Sequence, residues 1–81
     1  MFCVYVLYSV KIDRLYIGQT QDLKKRLREH REGVSFYTKR ASDWRLIHIE
    51  EFQTRSEAMR REKQLKTYKG REYLRNKYLS G

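Results

Sequence analysis

Phe2-Cys3-Val4-Tyr5-Val6-Leu7-Tyr8-Ser9 is followed, past the polar residues Lys11 to Asp13, by Leu15-Tyr16-Ile17-Gly18. The first run is β-branched and aromatic, the composition of a buried strand. Lys11 to Asp13 supply a turn, so the second run reads as the returning arm of a hairpin. Thr20 or Asp22 can cap the helix that follows, whose apolar seam is Leu23 and Leu27 and which Gly33 would terminate. Val34 to Asp43 reads as a loop, polar apart from Phe36 and Tyr37. In Trp44 to Phe52, Leu46, His48 and Glu50 alternate with Ile47, Ile49 and Glu51, which predicts a third strand. Thr54 and Glu57 have capping-box spacing and open a second helix, which Gly70 would end near Tyr68. Residues 71 to 79 make a short third helix. The order is β-β-α-β-α-α, an α/β (α+β) fold with a three-stranded, mostly antiparallel sheet flanked by helices, in one domain over residues 1–81.

One residue in this frame is out of place. On the second helix, positions advance by about 100° per residue. Ala58, Met59 and Leu65 define its apolar arc, and Glu62 falls about 40° from Ala58, inside that arc. A buried ionised carboxylate costs several kcal/mol (about that order) unless a cation or metal compensates it. Glu62 therefore calls for a partner on the protein or on something it binds.

Composition narrows the classes of function. The chain has 81 residues and a net charge of +9, with 40% hydrophobic and 36% charged residues, which suits a small folded domain with a thin core. The excess positive charge points to a polyanionic partner, nucleic acid first and an anionic membrane second. No apolar run approaches membrane-spanning length, and the amino terminus lacks the pattern of a signal peptide. Cys3 stands alone in an apolar strand, as expected of a buried thiol in a reducing, cytoplasmic compartment. His48, between two isoleucines, reads as an edge or packing residue.

Two more pairs bear on chemistry. Tyr5 and Tyr16 lie on the two arms of the hairpin and emerge on one face if the register pairs them. Arg26 and His30 are four apart on the first helix and share a face, with His30 within about 20° of the apolar seam and Arg26 at about 60°. Lys25, Arg28 and Glu32 project into solvent.

Cys3-Val4-Tyr5, then Tyr16-Ile17-Gly18 after ten residues, resembles the paired motif of the GIY-YIG nuclease superfamily. Gln19 to His30 resembles that family's first helix with its arginine and histidine, and Glu57 to Lys66 resembles its metal-ligand helix. The likeness covers essentially the whole chain and is greatest to small, stand-alone bacterial members. Two departures stand out. The first motif reads Cys-Val-Tyr in place of Gly-Ile-Tyr, and Thr38 and Lys39 occupy the loop where some members carry a second histidine.

The resemblance implies hydrolysis of phosphodiester bonds with one divalent cation, Mg²⁺ or Mn²⁺, held weakly by Glu62. Arg26 would donate to a non-bridging phosphate oxygen. Tyr16 would orient or deprotonate the attacking water, a task that asks for positive charge nearby because a free phenol titrates near pH 10. Tyr5 would hydrogen-bond the phosphate or the water, and His30 would either relay a proton or fix Tyr5. Asn76, on the third helix, is a supporting candidate near the phosphate. Lys24, Lys25, Lys39, Arg40, Arg61 and Lys66 are expected on a phosphate-tracking surface, DNA being favoured over RNA and structured or damaged DNA being included. Two other readings compete: a non-catalytic nucleic-acid-binding module, and a nuclease subunit that needs a protein specificity partner, for which Phe36, Tyr37 and Tyr78 are candidate contacts. The sequence fixes no oligomeric state.

Overall fold

The computed structural model describes residues 1–33 and 38–79, with the side chain of Thr38 excepted. Phe36 and Tyr37 therefore lie outside the described residues. The elements are β1 (Phe2–Ser9), β2 (Arg14–Thr20), α1 (Leu23–Arg31), a single 3₁₀ turn (Thr38–Arg40), β3 (Arg45–Phe52), α2 (Arg55–Lys66) and α3 (Tyr68–Tyr78). This is the expected order, and the sheet is wholly antiparallel in the order β2-β1-β3.

The hairpin closes with Tyr5 opposite Gly18 and Leu7 opposite Tyr16. Because successive side chains alternate across a sheet, Val4, Val6, Leu15 and Ile17 leave one face and Tyr5, Leu7, Tyr16 and Gly18 the other. The first set meets Ala58 and Leu65 of α2 and Leu74 of α3 in the hydrophobic core. The second set faces α1. At the hairpin tip Asp13 adopts φ 50° and accepts hydrogen bonds from the Tyr8 hydroxyl (2.7 Å) and Arg75 Nη1 (2.9 Å), which tie α3 to the turn.

Several local expectations need amending. Asp22, not Thr20, caps α1, accepting from Lys25 N at 3.1 Å. The helix stops at Arg31, and Gly33 follows with φ 75°. The capping box is present in full at Thr54 and Glu57. Gly70, however, does not end α2. Thr67 closes α2 and caps α3 with the same residue, its hydroxyl accepting from Gly70 N at 3.0 Å, so α3 starts at Tyr68. Gly70 is needed for a different reason: a Cβ there would lie 2.2 Å from Gln64 O and 2.5 Å from Leu65 Cα, so it lets the two helices touch backbone to backbone. Met59, placed on the apolar arc by its wheel position, is 49% exposed, because the contact stripe of α2 is narrow. In β3 the pairing passes from Val6↔His48 to Leu7↔Leu46, so Ile47 is the extra residue of a bulge. Ile47 and His48 consequently both turn toward the core side, against the simple alternation. Among the described residues no helix is long and apolar enough to cross a membrane.

Candidate active site

Tyr5 is fully buried at the centre of the α1 face, and its hydroxyl is the hub of the site. Arg26 Nε donates to Tyr5 Oη at 3.3 Å, and Tyr5 Oη lies 2.9 Å from His30 Nε2. Burial, with the Arg26 charge adding to it, holds the His30 imidazole below its ordinary pKa, so the ring is neutral at neutral pH. Burial drives the Tyr5 phenol well above its ordinary value, against the opposing hydrogen bond from Arg26. Arg26 can only donate, so Tyr5 Oη accepts from it, while the direction of the hydrogen bond between Tyr5 Oη and the neutral His30 Nε2 is set by the His30 tautomer. The Tyr5 hydroxyl thus joins Arg26 to His30. For Arg26, burial alone would lower the pKa, but the hydrogen bonds to Tyr5 and Glu29 outweigh it and the net direction is upward.

Tyr16 completes this cluster. Its ring centroid is 6.1 Å from that of Tyr5 and 4.9 Å from that of His30, against which it packs edge-on. The diagonal register of the hairpin is what brings the two tyrosines together, and Gly18 leaves room for them. A Cβ on Gly18 would lie 2.8 Å from Tyr5 Oη and 3.1 Å from Tyr16 Cε1. Tyr16 is only half-buried, so its edge reaches solvent while Tyr5 does not.

Glu62 comes from the other layer of the fold. Its side chain is 21% exposed and pairs with Lys66 Nζ at 3.1 Å. Its bearing on the cluster follows from the helix. Arg61, one position earlier, lies about 60° to one side of Ala58, and Glu62 about 40° to the other. Arg61 reaches Glu50 of β3 at 2.9 Å, so the Glu62 flank is the one toward β2, the strand that carries Tyr16 and Gly18. The tyrosine, arginine and histidine side chains thus form one contiguous cluster on the α1 face, while Glu62 belongs to α2, the helix packed on the other face of the sheet. Among the described residues no group of three or more His, Cys, Asp or Glu side chains gathers to hold a metal. Any hard cation here would have the Glu62 carboxylate as its protein ligand, with water and phosphate oxygens in the remaining positions. That donor set suits Mg²⁺ or Mn²⁺.

The remaining expected residues divide. Lys24, Lys25, Lys39, Arg40 and Lys66 are exposed. Arg61 is instead engaged within the fold, donating from Nε and Nη2 to Glu50 and lying over the Tyr73 ring. Glu50 in turn takes His48 Nε2 at 2.6 Å, and His48 Nδ1 meets the Tyr78 hydroxyl. His48 is therefore a buried packing residue, and Tyr78 is tied inward by its hydroxyl. Asn76 lies on the outer side of α3 with Tyr68, Arg71 and Arg75, apart from the tyrosine cluster. Two site residues were missed from sequence. Glu29 accepts from Arg26 Nη1 at 3.0 Å and fixes the guanidinium, a pairing that the i,i+3 spacing could have suggested. Gln19 leaves a buried Oε1 without a hydrogen-bond partner, for which the sequence has no signal.

The model of the GIY-YIG catalytic domain matches residues 1–78. The chain is 42% identical over 57 residues to a UPF0213 protein of Haloquadratum walsbyi, covering 69% of this chain and 64% of that one. It is 43% identical over 67 residues to a UPF0213 protein of Bacillus velezensis, covering 78% and 68%. With a UPF0213 protein of Staphylococcus saprophyticus it shares 35% over 74 residues, covering 88% and 90%. It thus spans just under two thirds of the first of these relatives. No solved structure matches it. With a catalytic-domain match over nearly its whole length, the chain belongs to the GIY-YIG family.

Proposed function

We propose that the protein is a divalent-metal-dependent endonuclease that hydrolyses phosphodiester bonds in DNA, including structured or damaged DNA. The observation that carries this reading is the Arg26–Tyr5–His30 hydrogen-bonded group, packed against Tyr16. Mg²⁺ or Mn²⁺ held by Glu62 would supply Lewis acidity at the departing oxygen. Arg26, already oriented by Glu29 and Tyr5, donates to a non-bridging oxygen where charge develops. Tyr5 stays protonated and serves to aim the guanidinium. His30 fixes Tyr5 through the hydrogen bond between its Nε2 and that hydroxyl. Tyr16, the tyrosine with access to solvent, orients the attacking water. Lys24, Lys25, Lys39 and Arg40 track the flanking phosphates without reading sequence.

The test is cleavage of labelled duplex, single-stranded, flap and four-way-junction DNA and of matched RNA, in Mg²⁺, Mn²⁺ or EDTA. A Glu62→Gln variant is the control, its fold matched by circular dichroism. The expected result is metal-dependent cleavage of DNA that the substitution reduces by about 10²-fold or more. Salt-sensitive binding by both proteins with no cleavage by either overturns it in favour of a binding module. Cleavage that appears only when a second protein is added identifies a subunit that needs a specificity partner.

A further inference from the structure

Glu29 puts a negative charge where a phosphate site has no use for one. It follows Arg26 by one helical turn and accepts from Arg26 Nη1 at 3.0 Å, the two side chains being 34% (Arg26) and 31% (Glu29) exposed. Both line a groove of about 400 Å³ that runs from α1 past the end of β2 to the first residue of α2. A bound phosphate and the Glu29 carboxylate would compete for one guanidinium and repel each other. Glu29 is not the sole anchor of Arg26. Nε of the same guanidinium donates to Tyr5 Oη at 3.3 Å, and Tyr5 is fully buried, so the arginine stays aimed when Nη1 changes partner. The pair is also weak enough to exchange: an ion pair this exposed is worth a factor of about five or less in equilibrium terms.

We infer that Glu29 is a built-in competitor for Arg26: substrate phosphate displaces it from Nη1, and its return expels the cleaved strand end. The inference rests on the nuclease reading and adds product release, a step which that reading leaves open. Hydrolysis adds water across one P–O bond and leaves a hydroxyl and a terminal phosphate, with a proton released at neutral pH. The diester carries a single negative charge. The terminal phosphate carries about −1.5 to −2, so Arg26 alone would hold product more tightly than substrate. Glu29, tethered to the same turn of α1, repels each in proportion to its charge. The penalty falls hardest on the product, and the site is cleared for the next strand.

The test titrates trithymidylate bearing a 5′-phosphate, a 3′-phosphate or neither into ¹⁵N-labelled protein in EDTA at low salt, reading the Arg26 Nε–H resonance. Glu29→Gln keeps the length of the side chain and its acceptor and removes the charge. Glu32→Gln, an exposed carboxylate at the end of the same helix, is the control for net charge. Glu29→Gln should bind the bare strand about twofold and a terminally phosphorylated strand about fivefold more tightly than wild type. Glu32→Gln should tighten all three alike, by less than about twofold. In an Arg26→Met background, Glu29→Gln should gain no more than Glu32→Gln does. Equal gains from Glu29→Gln and Glu32→Gln overturn the inference, as does a gain that survives Arg26→Met. Weaker binding by Glu29→Gln shows that the carboxylate merely aims Arg26, and a variant that melts several degrees lower or fails to fold shows the pair to be structural; either result overturns it. Wild type and Glu29→Gln that bind none of the three strands overturn both this inference and the nuclease reading. Binding is read without metal, so a protein that shows the expected pattern and cuts no strand keeps the competitor and loses the nuclease reading. A wild type that cuts while Glu29→Gln binds no tighter loses the competitor alone.

Discussion

Replacing Gly18 with alanine places a methyl group 2.8 Å from Tyr5 Oη and 2.9 Å from Tyr5 Cζ. Ordinary contact begins at 3.4 Å, so the tyrosine would have to retreat by 0.6 Å (3.4 − 2.8) at the hydroxyl and 0.5 Å (3.4 − 2.9) at the ring. Tyr5 is 0% exposed and has nowhere to swing. Its hydroxyl is pinned at 2.9 Å to His30 and 3.3 Å to Arg26, and a shift of half an ångström takes the second contact out of hydrogen-bond range. Overpacking of this kind costs about 1–3 kcal/mol. Loss of the Arg26 hydrogen bond adds about 1 kcal/mol. The lower unfolded-state entropy of alanine returns about 0.5–1 kcal/mol. The net destabilisation is about 2 kcal/mol, which for a domain of this size lowers Tm by about 8–16 °C. Thermal and urea unfolding measure it, in a double-mutant cycle with Tyr5→Phe. That second substitution removes the atom that the methyl strikes hardest, so the double variant should be about 1 kcal/mol more stable than the sum of the singles predicts. Gly18→Ala within about 0.5 kcal/mol of wild type, or strict additivity in the cycle, would refute the reasoning.

Three further outcomes are expected. His30, neutral in the native state with its pKa below the ordinary imidazole value, binds fewer protons than it does in the unfolded chain. Its contribution to stability is therefore present above about pH 6.5 and lost as pH falls through the lower native value, so wild type should lose Tm between pH 7 and 5 more steeply than His30→Gln, and coincident slopes would count against it. Gly70→Ala drives a methyl into the backbone of Gln64 and Leu65, where no side chain can yield, and should lower urea stability by about 3 kcal/mol or more. Lys24→Ala and Lys25→Ala should each reduce the slope of log binding constant against log salt by about one, whereas Arg61→Ala should leave that slope unchanged and lower stability by about 1–2 kcal/mol through its bond to Glu50.

The parts of the fold that local chemistry decides were legible in the chain. The capping box at Thr54 and Glu57 needs four consecutive residues, and the shared face of Tyr5 and Tyr16 needs the pleat and a short turn. Glu62 was readable as an intruder on its helix because wheel geometry is internal to the helix. What was not legible depends on which surfaces meet. Gly70 has the look of a helix terminator, and only the contact with α2 shows that it serves close packing. The bulge at Ile47 breaks the period of two that alternation assumes, so both Ile47 and His48 turn inward. Arg61 matches a phosphate-binding arginine in isolation, yet a partner eleven positions away in sequence, Glu50, holds it within the fold. The unfilled acceptor of Gln19 likewise exists only in three dimensions.

The one buried residue of α1 is His30, which meets the sheet through Tyr5, while Arg26 beside it reaches the same hydroxyl. Elsewhere under this helix lies a cleft of about 280 Å³ edged by Leu7, Leu27 and Leu46. Selection for a working active site and selection for an attached helix therefore act on the same three side chains. A descendant that gave up catalysis could not discard Tyr5, Arg26 and His30 freely, since α1 would come loose unless apolar residues refilled the space beneath it. Drift after loss of function should show first at Glu62, which the fold does not need for this attachment. Across a lineage, that position is the one whose retention separates chains that cut from chains that merely keep their shape.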